Sequence, residues 1–393
     1  MGIQRERDKI GIYVHIPYCV SKCPYCDFKS VVDSGLDESK YIDSLLRELD
    51  RVLGKEGALR SREIESIYLG GGTPSLFSSA SAGRIIREVK DAFDLDVSPE
   101  ITVEVNPDTV NREKFEGYKE AGVNRISIGF QSLNDGVLKT LGRTHSAKRA
   151  VDAFMDAREA CFDNIGVDLI FAVPGQTVAD WEESLMQAVR LSPEHISLYG
   201  LTLEEGTPFC KKYKDSSVLP SEDDYALMYG KATEVLKESG YVHYEISNWA
   251  RPGKQSIHNQ RYWLGGDYIG LGVSAHSFLS YPGWGRRWWN EVAISAYMDG
   301  VQAGGAAVAG AEALTREEAL TEAMFLGLRM LKRGLRGDGF KKRFGISIKE
   351  AFKGWRLLKE EGLLKIDGED MHLTGKGVLV SDEVFARMAA EYA

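Results

Sequence analysis

The sequence lacks the features that mark several common classes of protein. No apolar run in its 393 residues approaches the ~20 residues that an α-helix needs to cross a bilayer. The first nine residues contain no apolar core of a secretory signal. Because the formal charge is −9, a broad nucleic-acid-binding surface is disfavoured. We therefore expect a cytoplasmic protein with no transmembrane segment and no nucleic-acid partner, and a peripheral position at the membrane stays open.

Cysteine is also scarce, and its distribution is uneven. Only five cysteines are present, and two of them, Cys161 and Cys210, stand alone. In a chain without a secretion signal, this low number fits a reducing compartment in which thiols stay free. The other three, Cys19, Cys23 and Cys26, form one motif after a short β-rich run. These three thiols are therefore the first candidates for binding a metal.

The spacing of this motif, Cys-x3-Cys-x2-Cys, predicts an iron–sulfur site. Three thiolates can hold three irons of a four-iron, four-sulfur (4Fe-4S) cluster, which leaves the fourth iron without a protein ligand. A zinc site with His15 as the fourth ligand is one alternative, and disulfides are another. The spacing resembles that of the radical S-adenosylmethionine (SAM) superfamily. The resemblance implies that SAM chelates the open iron and that one electron from the cluster splits SAM to give a 5′-deoxyadenosyl radical.

Alternating strand and helix patterns fill the first 240 residues. Six β-rich runs are predicted at 10–16, 64–69, 101–105, 125–130, 165–170 and 195–199. Helical stretches between them include 38–53, 80–93, 112–121 and 178–191. Strands that alternate with helices predict βαβ units and a parallel sheet. The predicted fold class is therefore α/β, and the six units match the incomplete (β/α)6 barrel that the resemblance implies for residues 1–240.

Glycines and polar residues follow the predicted strands, where parallel barrels carry their active residues. The second strand leads into GGGTP, whose glycines allow the backbone to approach a ligand closely. It resembles the superfamily motif that lines the methionyl part of SAM, which implies contacts from Gly71, Gly72 and Thr73. A carboxylate suits ribose hydroxyls, and an arginine suits the SAM carboxylate. The further residues that match SAM-binding positions of one subgroup are Tyr13, Glu104, Gln131, Arg143 and Asp168.

That subgroup contains the oxygen-independent coproporphyrinogen III dehydrogenases (HemN) and the HemW heme chaperones. The dehydrogenases carry a further cysteine two positions after the third, where this chain has Phe28. They also have a long segment before the cluster motif, whereas twelve residues precede Tyr13 here. HemW proteins carry HNxxYW and YEISN motifs, which this chain has at 258–263 and 244–248. The sequence is therefore identified as HemW-like.

The HNxxYW segment predicts contacts with heme. A histidine nitrogen can bind heme iron axially, and tyrosine and tryptophan can cover a porphyrin face. The alternative is a loop whose aromatic side chains fill the core. With the resemblance, heme binding is favoured at His258, Asn259, Tyr262 and Trp263. His276 is a second candidate for the iron ligand, although its apolar flanks predict a buried, hydrogen-bonded histidine.

The chain changes character after about residue 300. Residues 241–300 match a HemN/HemW-type extension, and the alanine- and glycine-rich residues 301–310 predict a linker. Thr315 and Glu318 form a capping box at the start of a helix. A mostly helical, winged-helix-like domain is predicted over 311–393, with helices near 337–344 and 347–361, a hairpin at 363–366 and 371–373, and a last helix from about 374.

Together these patterns predict a heme chaperone. We expect one 4Fe-4S cluster, SAM and heme as cofactors or cargo, apo-heme acceptor proteins, including respiratory ones, as partners, and an electron donor. Oxidative decarboxylation of coproporphyrinogen propionates is the enzymatic alternative. RNA modification, a third function of radical SAM barrels, is disfavoured by the acidic charge. No catalytic side chain is assigned, and whether SAM is cleaved in the working cycle stays open.

Overall fold

The computed structural model describes residues 8–32, 35, 37–94, 98–214, 218–304 and 307–390. The strands are β1 Lys9–Ile16, β2 Tyr18–Cys19, β3 Val31–Val32, β4 Glu63–Gly71, β5 Glu100–Val105, β6 Arg125–Gln131, β7 Ile165–Phe171, β8 His195–Gly200, β9 Val242–Glu245, β10 Asn248–Ala250, β11 Tyr268–Leu271, β12 His276–Leu279, β13 Arg286–Asn290, β14 Val308–Ala313, β15 Leu364–Asp367 and β16 Asp370–Leu373. The helices are α1 Glu38–Lys55, α2 Ser79–Asp91, α3 Arg112–Glu120, α4 Asp135–Leu141, α5 Ala147–Glu159, α6 Val178–Arg190, α7 Pro208–Lys212, α8 Glu222–Glu238, α9 Ile257–Trp263, α10 Ile294–Gln302, α11 Arg316–Arg329, α12 Gly337–Phe344, α13 Ile348–Ala351, α14 Trp355–Glu360, α15 Gly375–Leu379 and α16 Ser381–Ala389.

One 12-stranded sheet organises the α/β fold. Its strands follow the order β14-β13-β12-β11-β1-β4-β5-β6-β7-β8-β10-β9, and the seven from β11 to β8 are parallel. All six predicted strands and the four named helices are confirmed, with bounds that differ by at most two residues. Local apolar periodicity was sufficient to predict the strands, because each strand has one face in the core. In β1, Ile12 and Val14 are fully buried, whereas Tyr13 and His15 point to the opposite, polar face.

Antiparallel strands extend the sheet beyond the predicted barrel on both sides. Strands β10 and β9 follow β8, and β12, β13 and β14 follow β11. The prediction of a linker at 301–310 is wrong for residues 301–302, which end α10, and for 308–310, which begin β14. Residues 305 and 306 lie outside the described residues. Small residues are needed in β14 because a Cβ on Gly310 would lie 2.3 Å from the Trp289 ring.

The C-terminal region is mostly helical with one hairpin, as predicted. The capping box of Thr315 and Glu318 is present at the start of α11, and α12 matches its predicted bounds. The single helix predicted at 347–361 is instead two short helices, α13 and α14, separated at the buried, extended residue Phe352. The last predicted helix is likewise divided into α15 and α16. Across the described part of the chain, no helix combines the length and apolar character needed to cross a membrane.

Candidate cofactor site

The three cysteines of the motif lie on one loop beyond the carboxyl end of β1. This loop is closed at its base because β2 and β3 pair through Tyr18 and Val31. All three thiols are half-buried and free of disulfides. Burial raises the pKa of Cys26, and the neighbouring Cys23 and Cys19 raise it further. A positively charged centre bound beside Cys26 would oppose this increase.

Two polar side chains contact the thiols directly. Thr73 Oγ1 donates a hydrogen bond to the Sγ of Cys19 at 3.6 Å. Arg143 Nη1 donates to the Sγ of Cys23 at 3.5 Å, while its Nη2 donates to the carbonyl of Gly129 at 3.3 Å. Both donors can also hydrogen-bond to the sulfur of a metal-bound thiolate. The surroundings of the loop therefore suit an iron–sulfur cluster.

His15 is already engaged on both sides of its ring. Its Nδ1 lies 2.9 Å from the hydroxyl of Tyr13, and its Nε2 lies 3.0 Å from the carbonyl oxygen of Lys29. Among the described residues, no three His, Cys, Asp or Glu side chains converge on a site for a single metal ion. These contacts argue against the zinc alternative, since His15 has no nitrogen left for a fourth ligand.

The GGGTP loop fits closely against the base of the cysteine loop. Gly71 has a φ of +113°, and a Cβ there would lie 2.6 Å from the ring of His15. A Cβ on Gly72 would lie 2.7 Å from the carbonyl oxygen of Tyr18. The N–H groups of Gly72 and Thr73 donate to the carbonyls of Ile16 and Tyr18, both at 2.8 Å. The glycines therefore hold the two loops together without intervening side chains.

Two predicted SAM contacts, Glu104 on β5 and Asp168 on β7, are carboxylates inside the barrel. Glu104 accepts hydrogen bonds from the Tyr68 hydroxyl at 2.7 Å and from the Gly71 N–H at 3.1 Å. Burial, with a contribution from Asp168, raises the pKa of Glu104 to about 7. Burial likewise raises the pKa of Asp168, which accepts from Ser127 Oγ at 3.0 Å. Two buried carboxyl groups with raised pKa values would be stabilised by a cationic ligand, and SAM carries a sulfonium.

The structure brings the other predicted SAM contacts to the same end of the barrel. Tyr13 lies opposite Tyr68 in the sheet, and their rings stack at 6.3 Å. Gln131, the last residue of β6, has a φ of +63°, which is uncommon for a residue other than glycine. Arg143 contacts the cysteine loop rather than the interior carboxylates. A Cβ on Gly70 would contact both Tyr13 and Glu104, and a Cβ on Gly129 would contact both Gln131 and Arg143, so the members of each pair lie near one another.

Sequence reasoning missed several polar residues of the barrel interior. Arg125 on β6 is 1% exposed and lies two residues before Ser127, on the same face of the strand. Tyr68 and Ser197 complete this polar interior, Tyr68 as a donor to Glu104 and Ser197 as a donor that lowers the pKa of Asp168. The available signal was the alternation of polar residues with isoleucine in β6, RISIGFQ, which marks a polar interior face.

The HNxxYW motif forms helix α9, which packs against β4. Ser256 caps the helix, and the Glu100 carboxylate accepts from the N–H of His258 at 3.1 Å. His258 is 1% exposed; its Nδ1 lies 2.8 Å from Ser66 Oγ, and its Nε2 lies 2.8 Å from the Tyr262 hydroxyl. Burial lowers the pKa of His258 to about 3, so the ring is neutral. Both of its nitrogens are engaged within the protein.

A large groove lies between α9, β12 and the C-terminal helices α11 and α12. Its volume is about 1780 Å³, and it extends to Phe28 and Lys29 on the cysteine loop. Nine Lys or Arg residues line it against five Asp or Glu, in a chain whose net charge is −9. Aromatic side chains of the groove include Tyr262, Trp263, Tyr268, Phe278, Trp284 and Phe344. Asn259, the remaining residue predicted to contact heme, is half-buried and does not line the groove.

His276 lies in this groove at the start of β12. The prediction of a buried, hydrogen-bonded histidine is wrong, because the side chain is exposed. Its immediate neighbours Ala275 and Ser277 are buried, but the histidine occupies the alternate position along the chain. The flanking residues therefore indicated a buried strand and not the direction of this ring.

Comparisons with known proteins give the superfamily and the fold. The family model described as the radical SAM superfamily matches residues 13–188, and that of the HemN C-terminal domain matches residues 314–380. The solved structure of coproporphyrinogen III oxidase (HemN) from Escherichia coli superposes with a TM-score of 0.83, covering 99% of this chain and 92% of that one. At 23% identity, this similarity shows the fold alone.

Sequence relatives give the narrower family. The heme chaperone HemW of Lactococcus lactis is 35% identical, over 95% of this chain and 96% of that protein. HemW of Haemophilus influenzae is 42% identical, over 70% of this chain and 71% of that protein, and HemW of Escherichia coli is 39% identical over the same shares. The cysteine loop, the glycine loop and the barrel described above lie within one fold that these proteins share along most of their length, and the chain belongs to the HemW family of the radical SAM superfamily.

Proposed function

We propose that the protein is a heme chaperone that holds a 4Fe-4S cluster and SAM in its barrel and transfers heme to acceptor apoproteins. The observation that carries this proposal is the groove beside the cysteine loop. Its aromatic lining suits a porphyrin face, and its excess of lysine and arginine suits the two heme propionates. The relatives named heme chaperone HemW support the same function.

The thiols of Cys19, Cys23 and Cys26 would hold the cluster. Arg143 and Thr73 would stabilise their sulfur atoms through the hydrogen bonds described above. SAM, when bound to the open iron, would supply a 5′-deoxyadenosyl radical after one-electron reduction. The barrel would orient SAM through its interior carboxylates and exclude water from it. An electron donor is therefore part of the proposal if SAM is cleaved.

Phe28 favours a chaperone over a coproporphyrinogen dehydrogenase. It occupies the position where the dehydrogenases carry an additional cysteine, it is 61% exposed, and it lines the groove. An apolar side chain there offers no thiol for redox or acid–base chemistry next to the cluster. It does offer a surface for the edge of a porphyrin. We propose a cytoplasmic location, with respiratory apoproteins among the acceptors.

The test is to offer heme and coproporphyrinogen separately to the protein after anaerobic reconstitution of its cluster. We expect stoichiometric heme binding, and transfer to an acceptor apoprotein at a rate above passive loss to apomyoglobin. With SAM and a reductant, coproporphyrinogen should stay unchanged. Stoichiometric carbon dioxide release with formation of a vinyl product would contradict the proposal and support the dehydrogenase.

A further inference from the structure

We propose that His276 in the groove, and not His258 of the HNxxYW motif, is the protein ligand of heme iron, with the propionates directed toward Lys342 on α12. This inference rests on the proposed heme-binding function and specifies where and how heme is bound.

The chain has seven histidines, and all of them lie among the described residues. Four are buried and a fifth, His243, is half-buried, and each of the five has a ring nitrogen within hydrogen-bond distance of a protein oxygen. These are His15, His145, His195, His243 and His258. His372 is half-buried on the C-terminal hairpin, outside the groove, with its Nδ1 3.4 Å from the carbonyl oxygen of Leu331. Only His276 is exposed and lines the groove.

The immediate surroundings of His276 suit a metal ligand. No hydrogen bond to its ring nitrogens is present among the described residues. The ring lies 5.9 Å from that of Trp289, its cross-strand partner, at an interplanar angle of 25°, which restricts its orientation. Arg287 on the neighbouring strand β13 also lines the groove. Arg287 itself is held by the carboxylates of Glu312 and Glu322.

Another wall of the groove comes from α12 and the segment before β13, and it offers the half-buried ring of Trp284 together with cations. Phe344 stacks on Trp284 with ring centroids 5.7 Å apart, and the Arg343 Nη2 donates to the carbonyl of Trp284 at 2.9 Å. These contacts join the C-terminal region to the strands that carry His276. Lys342 is exposed in the groove and forms no ion pair within the described residues. An aromatic wall with an unpaired ammonium group fits a flat macrocycle that carries carboxylates.

This arrangement assigns a different role to His258. Its contacts with Ser66 and Tyr262 attach α9 to β4, so His258 positions the helix whose Tyr262 and Trp263 line the groove. Replacing His258 would disturb folding or the shape of the groove, and the iron would keep its ligand. We therefore expect His258 variants that fold to bind heme with a changed affinity. Their heme spectrum should match that of the parent, because the iron keeps its ligand.

The experiment compares the heme complexes of the parent, His276→Ala and the matched control His372→Ala in the full-length protein. In His276→Ala we expect altered Soret absorption and electron paramagnetic resonance spectra and a heme affinity weaker by at least about tenfold. Added imidazole should restore the spectrum, because it can enter the vacated position. His372→Ala should match the parent. Circular dichroism and thermal unfolding check that each variant is folded.

Lys342→Glu tests the orientation of heme independently. It should weaken the binding of heme but not that of heme dimethyl ester, whose propionates carry no charge. An unchanged spectrum in folded His276→Ala would contradict the assignment of His276 as the iron ligand. Equal effects of Lys342→Glu on the binding of both porphyrins would contradict the contact between Lys342 and the propionates. If the parent binds no heme at all, the proposed function itself fails, so the two failures are distinguishable.

Discussion

Arg143 donates a hydrogen bond from its guanidinium to the Sγ of Cys23, at 3.5 Å, across 120 residues of sequence. Sequence patterns had suggested that this arginine binds the SAM carboxylate. In the structure it supports the cysteine loop as well, since its second terminal nitrogen is anchored on the carbonyl of Gly129. The cluster loop and the loop after β6 are therefore connected through one side chain.

The first prediction concerns this contact. Hydrogen bonds to charged groups typically contribute about 1.5–3 kcal/mol, so Arg143→Ala should release cluster iron to a chelator roughly tenfold faster or more. Arg143→Lys should be intermediate, because it keeps the charge without the planar fork. Arg84→Ala, which removes a surface arginine paired with Asp43, is the control. Equal release rates for Arg143→Ala and the parent would contradict a stabilising role.

The second prediction separates the cluster ligands from the other cysteines. Serine variants of Cys19, Cys23 and Cys26 should each lose most of their iron and sulfide. Cys161→Ser and Cys210→Ser should load fully, since neither thiol belongs to the Cys-x3-Cys-x2-Cys motif. Chemical analysis of iron and sulfide after identical anaerobic reconstitution measures both groups. Loss of the cluster in Cys210→Ser, or full loading in Cys23→Ser, would refute the assignment.

The third prediction concerns SAM. Asp168 is half-buried on β7, and its carboxylate accepts a hydrogen bond from Ser127. If its carboxylate contacts SAM, Asp168→Ala should bind SAM about ten- to a hundredfold more weakly, with the cluster content unchanged. Asp152→Ala, which removes an exposed aspartate paired with Lys148, is the control. Equilibrium binding to the reconstituted proteins measures the effect, and equal affinities in Asp168→Ala and the parent would show that the ribose contact is elsewhere.

A buried carboxyl group links α1 to the strands beyond the barrel. Glu48 accepts from the N–H of Gly272 at 2.8 Å, from the Tyr297 hydroxyl at 2.6 Å and from the side-chain amide of Asn290 at 2.5 Å. Burial nevertheless raises the pKa of Glu48 to about 7. The folded protein therefore retains a proton on Glu48 that the unfolded chain releases near its ordinary value of 4.5.

The fourth prediction follows from this difference in pKa. Because the folded state binds more protons between about pH 4.5 and 7, the contribution of Glu48 to stability falls as the pH rises through this window and is constant above it. In Glu48→Gln, which cannot titrate, this slope is absent. The free energy of unfolding of the parent, relative to that of Glu48→Gln, should therefore be highest near pH 5. This difference should decrease by at most roughly 3 kcal/mol between pH 5 and pH 7.5.

Denaturant unfolding of both proteins, with matched cluster content, measures this difference at each pH. Other titrating groups are common to the two proteins and cancel in the comparison. A difference in stability that stays constant or widens with rising pH would contradict the raised pKa of Glu48.

Predictions from the sequence succeeded where structure depends on local periodicity. The strand 125–130 was predicted as a β-rich run between helical stretches, and the structure extends it by one residue, to Gln131. Predictions from the sequence failed where one composition fits two different structures. The small residues at 308–310 suggested a linker, but they form an edge strand because the ring of Trp289 requires space above Gly310.

The sequence by itself determined the family, the cysteine motif and the order of strands and helices, because each of these depends on spacing along the chain. Only the tertiary structure decided which histidine faces the groove. His258 is enclosed by Ser66, which lies 192 residues away, whereas His276 stands opposite Trp289 on an open face of the sheet. Both histidines have apolar neighbours in the sequence, and exposure depends on strand pairing across the whole chain. Local pattern therefore could not distinguish a histidine that holds a helix in place from one that is free to bind a ligand.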